Sequence, residues 1–329
     1  MDKKVKILLI NFGGIGDEIL FLPTIISLKK EFPDAYITLA VEPRSRGIVD
    51  LTDKIDDLIL VDLKRRNKYC ELLKLVFRAW CGKYNIVVSS GANKLISILL
   101  AGMGIRKRYG YDTGKLSQLL LTKAVSLNKN QYAVNMYHDL ITPLTSCRTE
   151  LPQINVGCLQ VVENSILIHP GVSKISVEKN MIKTIDAEIW AKVVRGLVQA
   201  GKKVRLIGGP DDKDCVERIV DLCKDIDFEN LYGTTKNLKE LAQLISSAEK
   251  FLCSDSAPLH IAVALGVKTF AIFGPTDDKK LIPPSVVAIK ANDNCPIKPC
   301  LWEKRQTSCE SLDCLKIMPD DIVKLVLGV

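Results

Sequence analysis

Two series of short apolar runs, each alternating with helical patterns, constrain the fold of this chain more than any other feature. In the first series, apolar runs at residues 7–10, 36–41, 57–61 and 85–89 predict strands, and an apolar period of 3.6 predicts a helix over residues 17–31. This alternation is typical of a parallel sheet covered by helices. The first half of the chain is therefore predicted to form a doubly wound α/β unit.

A second series follows a less regular stretch, at about residues 146–163, that contains Pro152. Its predicted strands are 165–169, 203–207, 251–253 and 269–273, and its predicted helices are 187–200, 212–224, 238–247, 259–265 and 320–327. A length of 329 residues suggests two domains of about 150 residues each. We expect domains at residues 1–155 and 156–329, with the carboxyl edges of their sheets facing a cleft.

Composition and charge narrow the class of protein. Apolar residues make up 47% of the chain and charged residues 26%, as in a soluble globular protein. No apolar run reaches the roughly 18 residues of a membrane span, and the start of the chain is predicted to be a buried strand and not a signal peptide, so we expect a cytoplasmic protein.

The net charge of +8 lies entirely in the first half, since residues 1–160 hold 23 Lys and Arg against 15 Asp and Glu, whereas the remainder holds 23 of each. Local basic runs occur at residues 64–68 and 106–109. Such a surface suits an anionic acceptor or peripheral contact with an anionic membrane, although a solvated surface explains either run alone equally well. Nucleic acid is disfavoured because no binding motif accompanies the charge.

The segment Ser254-Asp255-Ser256-Ala257-Pro258-Leu259-His260 begins where an apolar run ends and a helical pattern starts. A parallel strand delivers such a loop to the carboxyl edge of the sheet, where α/β proteins bind ligands. Free N–H groups at the start of the helix attract anions such as phosphate, and Asp255 and His260 flank the same turn. The alternative is a helix cap beside a buried histidine.

A glycine loop, Asn11-Phe12-Gly13-Gly14-Ile15-Gly16-Asp17, follows the first predicted strand. It lacks the third glycine of a dinucleotide fingerprint, and Asp17 stands where its carboxylate would repel a pyrophosphate, so a redox cofactor is disfavoured. A carboxylate on a glycine turn suits a general base that accepts a proton from an attacking hydroxyl group. The alternative is that Asp17 only caps the helix.

Eleven cysteines fall into two sets. Seven are scattered and are predicted to be buried free thiols: Cys70, Cys81, Cys147, Cys158, Cys215, Cys223 and Cys253. Four are clustered near the C-terminus: Cys295, Cys300, Cys309 and Cys314. In a reducing compartment a cluster of this kind favours a structural zinc or iron ion, with free thiols or disulfides as the alternatives.

Taken in order, these pieces and several short motifs resemble glycosyltransferase family 9, the ADP-heptose:lipopolysaccharide heptosyltransferases and their relatives. The motifs are Gly16-Asp17, Leu22-Pro23-Thr24, Phe32-Pro33, Ile168-His169-Pro170-Gly171, Lys183 seven residues before Trp190, Ile207-Gly208-Gly209-Pro210, and Phe273-Gly274-Pro275-Thr276. The resemblance spans nearly the whole chain. It implies a GT-B fold of two Rossmann-like domains, the first for the acceptor and the second for the nucleotide sugar.

The resemblance also implies inverting transfer without a catalytic metal or other cofactor. By position, Asp17 matches the general base and Lys183 the lysine that contacts the donor diphosphate. The other residues that we expect to bind substrate are Gly14, Gly16, Ser173, Thr235, Lys236, Asp255, Ser256, Ala257 and His260. Ala257 departs from the family, which usually has glycine there, and this departure bears on the identity of the donor.

Two other classes of function stay open. A GT-B-like nucleotide-sugar epimerase would need several catalytic carboxylates and histidines, and the chain has only three histidines: His138, His169 and His260. A non-catalytic module could sense a nucleotide sugar, metal or redox state through the cysteine cluster. The expected partners of the favoured function are ADP-heptose and an anionic glycan or lipid-linked acceptor.

Overall fold

The computed structural model describes residues 4–64, 67–291, 295–301 and 309–329. Arg65 and Arg66 of the first basic run lie outside the described residues. The chain divides into two compact units, residues 1–155 and 156–329.

The first unit is built on one sheet of six parallel strands in the order β3-β2-β1-β4-β5-β6. Its strands are β1 (Lys6–Ile10), β2 (Tyr36–Val41), β3 (Asp57–Leu60), β4 (Ile86–Ser89), β5 (Lys107–Tyr111) and β6 (Lys123–Val125). Its helices are α1 (Ile15–Glu31), α2 (Lys68–Gly82), α3 (Lys94–Gly102), α4 (Lys115–Leu120) and α5 (Ala133–Asp139), with a 3₁₀ segment at Pro43–Leu51.

The order of the strands reverses between β1 and β4, so the loops after these two strands diverge to opposite sides of the sheet. Ligands of open α/β sheets bind at such a switch point, outside the carboxyl ends of the strands. Ile7 to Ile10 of β1 are fully buried at the centre of the sheet. The apolar run that predicts β1 therefore also fixes the position of the loop that follows it.

The second unit repeats this topology, with six parallel strands in the order β12-β11-β10-β7-β8-β9. Its strands are β7 (Val162–His169), β8 (Lys203–Leu206), β9 (Glu229–Asn230), β10 (Ala248–Ser254), β11 (Lys268–Ile272) and β12 (Val287–Ile289). Its helices are α6 (Lys174–Glu178), α7 (Ala187–Gln199), α8 (Lys213–Leu222), α9 (Leu238–Ser246), α10 (Ala257–Ala264), α11 (Asp278–Leu281) and α12 (Pro319–Leu327). The switch point lies between β7 and β10.

Among the described residues, Trp190 of α7 is the largest fully buried side chain, and it lies in the core of the second unit. Its indole N–H donates a hydrogen bond to the hydroxyl of Thr184 at 3.2 Å. The buried indole ring thereby holds the chain segment that carries Lys183, which explains the fixed distance between this lysine and Trp190.

The predicted fold class, an α/β protein of GT-B type with two doubly wound parallel sheets, is confirmed. The predicted strands and helices lie within three residues of the observed ones, while the short strands β5, β6, β9 and β12 were not predicted because their apolar runs are too brief. The expectation that the scattered cysteines are buried is confirmed for Cys223 and Cys253 and wrong for the others: Cys147 and Cys215 are half-buried, and Cys70, Cys81 and Cys158 are exposed. No helix of the described segments is long and apolar enough to cross a membrane.

Candidate functional site

Asp17 lies in the first turn of α1, at the switch point of the first sheet. Its Oδ2 accepts a hydrogen bond from the backbone N–H of Gly14 at 2.8 Å, and its Oδ1 accepts one from the hydroxyl of Tyr137 at 3.3 Å. A Cβ on Gly13 would lie only 2.3 Å from the Cβ of Asp17, so the carboxylate needs glycine at that position. Asp17 does cap the helix, as the alternative interpretation held, yet it stays partly exposed to solvent.

Glu18 lies directly behind Asp17 and is fully buried. Its Oε2 accepts a hydrogen bond at 3.1 Å from the side-chain amide of Asn11, the residue after β1. That amide in turn accepts a hydrogen bond from the hydroxyl of Ser90, the residue after β4. Burial raises the pKa of Glu18 well above its ordinary value, and the nearby negative charge of Asp17 raises it further.

Tyr137 of α5 is buried against the same carboxylates, and its ring packs edge-on against Phe21 with the centroids 5.5 Å apart. Burial, together with the negative charge of Asp17, raises the pKa of its phenol well above the ordinary value. The phenol therefore stays neutral and donates a hydrogen bond to the Asp17 carboxylate. Sequence reasoning missed Asn11, Glu18, Ser90 and Tyr137, and only the adjacency of Glu18 to Asp17 was visible beforehand.

The glycine turn is also held from the 3₁₀ segment that follows β2. The hydroxyl of Ser45 donates a hydrogen bond to the carbonyl of Gly13 at 3.0 Å. Arg44 is partly exposed beside Gly14 and pairs with Glu42 at 2.7 Å. Gly14 precedes α1 with extended backbone, and Gly16 lies in the first helical turn, so both of these predicted substrate-binding glycines adjoin Asp17.

Lys183 and Asp255, predicted from separate motifs, are in direct contact in the second unit. The Nζ of Lys183 lies 3.2 Å from the Oδ2 of Asp255, which also accepts a hydrogen bond from the hydroxyl of Thr276 at 2.8 Å. The Asp255 side chain is nearly fully buried, whereas that of Lys183 is 22% exposed. The carboxylate thus orients the ammonium group of a lysine whose tip still reaches solvent.

A network of hydroxyl groups fixes the backbone around this pair. The side chains of Thr184 and Ser254 both donate to the carbonyl of Pro170, at 2.6 and 2.9 Å, and lie 2.7 Å from each other. Pro170 follows β7 and Ser254 ends β10, so the network joins the two strands that flank the switch point. Lys183 is therefore held at the carboxyl edge of the sheet although its own segment is a loop.

His169 and Asp212 form a second polar pair at the same edge. The Nε2 of His169 lies 3.2 Å from the Oδ2 of Asp212, which also accepts the backbone N–H of Gly209 at 2.8 Å. A Cβ on Gly171 would lie 1.7 Å from the Oδ1 of Asp212, so only glycine leaves room for this carboxylate. Asp212 was not predicted, and its one signal in the sequence is its place in the turn after Gly208 and Gly209.

Helix α10 begins at this edge, and Ser256 is the residue that precedes it. The hydroxyl of Ser256 does not cap the helix but lies 3.4 Å from the Nδ1 of His169. Ala257 is the first helical residue and is absent from the residues with positive φ, so its Cβ is accommodated without backbone strain. His260 is buried one turn further along the helix.

The remaining predicted substrate-binding residues lie on two other loops. Ser173 contacts the hydroxyl of Ser176 at 2.9 Å, just before α6. Thr235 and Lys236 precede α9, and the backbone N–H of Lys236 donates to Glu240 at 2.7 Å. The hydrogen bonds of the described residues connect none of these three to Lys183 or Asp255.

The cysteine cluster packs behind the loop that carries Thr276. The backbone N–H of Cys300 donates to the carbonyl of Pro275 at 2.9 Å, and a Cβ on Gly274 would lie 3.3 Å from the Sγ of Cys314. Burial raises the pKa of Cys300, with smaller contributions from Cys295 and Cys309, whereas hydrogen bonds from the backbone of Leu312 and the side chain of Ser311 lower that of Cys309.

In the described part of the chain, no three His, Cys, Asp or Glu side chains are arranged to hold a metal ion. Cys300 and Cys309 are free thiols. Residues 302–308 of the predicted metal segment lie outside the described residues.

Comparison with known proteins shows which protein family the chain resembles. Residues 76–311 match the model of glycosyltransferase family 9 (heptosyltransferase). Lipopolysaccharide heptosyltransferase 3 of Escherichia coli K12 is 27% identical over 283 residues, which cover 80% of each chain. The family match favours glycosyl transfer over epimerisation and over a non-catalytic module.

Solved structures of similar fold cover nearly the whole chain. The glycosyl transferase family 9 structure from Veillonella parvula has a TM-score of 0.77 at 22% identity and covers 100% of this chain and 99% of its own. The ADP-heptose LPS heptosyltransferase II of E. coli has a TM-score of 0.74 at 18% identity and covers 98% of both chains. At these identities the structural likeness establishes the fold.

Proposed function

Because this chain belongs to glycosyltransferase family 9, we propose that it transfers heptose from ADP-heptose to a hydroxyl group of a lipopolysaccharide-core acceptor. The observation that carries the proposal is the Asp17 carboxylate, which is partly exposed at the switch point of the first sheet and is held by Gly14 and Tyr137. The names of the similar proteins from E. coli support both the donor and the acceptor.

In the proposed reaction the first unit binds the acceptor and Asp17 is the general base. As the acceptor oxygen attacks the anomeric carbon of the donor, Asp17 takes the proton of that hydroxyl group. The bond from the anomeric carbon to the diphosphate breaks on the opposite face, so the configuration inverts and ADP leaves with the electron pair. The neutral phenol of Tyr137 and the amide of Gly14 hold the carboxylate in place for this step.

The second unit binds the donor in this proposal. Negative charge develops on the departing diphosphate, and the ammonium group of Lys183 together with the free N–H groups at the start of α10 stabilises it. Pro258 has no N–H group and that of Leu259 donates to the carbonyl of Ser256, so the amides of Ser256 and Ala257 are the candidates. Asp255 is a positioning residue, because its carboxylate contacts Lys183 and Thr276.

We propose that transfer itself needs no metal, because a lysine and a helix N-terminus supply the positive charge. A structural zinc or iron ion at Cys295, Cys300, Cys309 and Cys314 remains a separate proposal. Its support is the spacing of the four cysteines and the mutual electrostatic influence of three of the thiols. Its role would be to brace the loop that carries Thr276.

The basic first half of the chain supports an anionic, lipid-linked acceptor, and we propose that the protein works in the cytoplasm at the surface of the inner membrane.

To test the proposed function, the purified chain is incubated with ADP-heptose and lipopolysaccharide cores of graded truncation, and the products are identified by mass spectrometry. The expected result is the gain of one heptose by one core length. Gain of a different sugar from another nucleotide donor, with none from ADP-heptose, would overturn the donor assignment.

A further inference from the structure

Helix α2 carries large apolar side chains on the side that the core does not cover. Leu75 and Ala79 are buried against the sheet, in the same hydrophobic cluster as Leu100 of α3. On the outer side, four large side chains are between 58% and 67% exposed: Tyr69, Leu73, Phe77 and Trp80. At about 100° per residue these four fall on one stripe of the helix, centred roughly 140° around the helix from Leu75 and Ala79.

A hydrogen bond holds one side chain of the stripe in place, and neighbouring helices extend the apolar surface. The indole N–H of Trp80 donates to the carbonyl of Gly102, at the end of α3, at 2.9 Å. The neighbouring helices α3 and α4 add exposed apolar side chains at Leu95, Ile98 and Leu119. Singly exposed apolar residues are ordinary, but several on adjacent helices mark a contact surface.

This surface lies in the most basic part of the chain. Residues 64–123 contain thirteen Lys and Arg against only Glu71 and Asp112. On α2 itself, Lys68, Lys74 and Arg78 are exposed alongside the apolar stripe. Exposed leucine and aromatic side chains flanked by cations are typical of a helix that lies in the surface of an anionic bilayer.

We propose that the outer face of α2, with the adjoining ends of α3 and α4, docks the protein on the surface of a membrane that contains anionic phospholipid. Leu73 and Phe77 enter the boundary between head groups and acyl chains, Tyr69 and Trp80 lie at the level of the head groups, and the lysines and arginines contact lipid phosphates. The inference rests on the proposed location at the inner-membrane surface and deepens it by naming the docking face and the kind of lipid, and it requires neither donor nor acceptor.

The positive charge of this face favours an anionic membrane over a second copy of the chain as the binding partner. In a symmetric dimer the same patch meets itself, which would bring two strongly positive surfaces together. Nucleic acid would satisfy the cations but would leave Leu73 and Phe77 without an apolar partner. An anionic bilayer satisfies both the charge and the apolar stripe.

The experiment is co-sedimentation of the full chain with vesicles of phosphatidylethanolamine and phosphatidylglycerol, and with vesicles of phosphatidylcholine alone. We expect binding to the anionic vesicles that weakens as salt is added. The double variant Leu73→Ser with Phe77→Ser should lower the partition coefficient by roughly tenfold or more, since two large apolar side chains no longer insert. A matched control replaces the exposed Met318 and Leu325 of the second unit by serine and should bind like the parent.

Co-sedimentation with the same vesicles also tests the contribution of the positive charges to binding. Lys74→Glu with Arg78→Glu should lower the partition coefficient by roughly tenfold or more, because each cation near an anionic surface contributes to binding. The control pair is Lys213→Glu with Lys224→Glu, two exposed lysines at the start of α8 and just after its end. Unchanged thermal midpoints would show that all four variants fold.

Three outcomes would overturn the proposal: no binding of the parent chain to anionic vesicles, binding that the Leu73 and Phe77 substitutions leave unchanged, or a dimer by sedimentation velocity that these substitutions dissociate. Preferential binding of a single-stranded RNA over anionic vesicles would also count against it. Because vesicle binding is measured without nucleotide sugar, and transfer is measured on a core oligosaccharide in solution, failure of one does not imply failure of the other.

Discussion

Asp17 and Glu18 are consecutive carboxylates with opposite surroundings. Asp17 is partly exposed and accepts hydrogen bonds from Gly14 and Tyr137, whereas Glu18 is fully buried and its Oε1 has no hydrogen-bond partner among the described residues. Burial raises the pKa of the Glu18 carboxyl group well above its ordinary value. Asp17 is the member of the pair that solvent reaches at the rim of the sheet, which is the position that the proposed general base requires.

Replacing Asp17 by asparagine should abolish transfer and leave donor binding unchanged. The amide keeps the size of the side chain but takes no proton, so kcat should fall by a factor on the order of 10²–10⁴. Product formation is followed by mass spectrometry, and nucleotide affinity by calorimetry. Turnover within a factor of about three of the parent would remove Asp17 from the role of base.

Replacing Glu18 by glutamine should stabilise the protein at neutral pH but not in acid. Since the folded-state pKa of Glu18 is raised, its contribution to the free energy of unfolding is fully present below the ordinary value of 4.5 and is lost as the pH rises through the folded-state pKa. The neutral amide suffers no such loss. Denaturant melts of the parent and the variant at a series of pH values measure the difference, which should grow as the pH rises. A difference that is constant with pH would show that Glu18 is charged when folded.

Replacing Lys183 by alanine should weaken the binding of ADP by roughly 10- to 100-fold, the range expected for loss of a hydrogen bond to a charged group. Lys183→Arg should keep part of the affinity, and Lys213→Ala, on the exposed face of α8, should keep all of it. Calorimetry measures all three. Equal affinity of the parent and Lys183→Ala would mean that this lysine serves only to neutralise Asp255.

Replacing Gly171 by alanine should destabilise the second unit by roughly 1–3 kcal/mol, because the added Cβ overlaps the Asp212 carboxylate and forces it away from His169. Gly209→Ala is the matched control, since a Cβ there would lie 3.8 Å from the same carboxylate. Thermal unfolding followed by circular dichroism distinguishes them. Equal midpoints for the two variants would show that the Gly171 loop can relax.

Elemental analysis of the protein, purified without added metal, tests the cysteine cluster. If the structural metal is present, zinc or iron should appear at about one atom per chain and be lost when Cys300 and Cys314 are both replaced by serine. The paired replacement of Cys70 and Cys81, which are exposed on α2, is the control and should retain the metal. A chain free of both metals would leave the four cysteines as ordinary thiols.

The sequence by itself determined the class of fold and the places where the two candidate sites lie. Apolar runs of strand length that alternate with 3.6-residue periods allow little besides parallel sheets, and a parallel sheet places the loops after its strands at one edge. Asp255 follows its strand directly, and Asp17 lies in the first turn of the helix after its strand, so their positions could be predicted from local pattern alone.

Only the tertiary structure decided what those residues contact. Tyr137 reaches Asp17 from 120 residues away, and Lys183 reaches Asp255 from 72 residues away. The pKa of Glu18 is raised because its side chain is buried, and the presence of an acidic residue in the sequence of α1 does not reveal that burial. The exposure of the apolar stripe on α2 could not be predicted from the sequence for a related reason. The apolar period shows that the helix has an apolar side, but only the packing shows how much of that side the core covers.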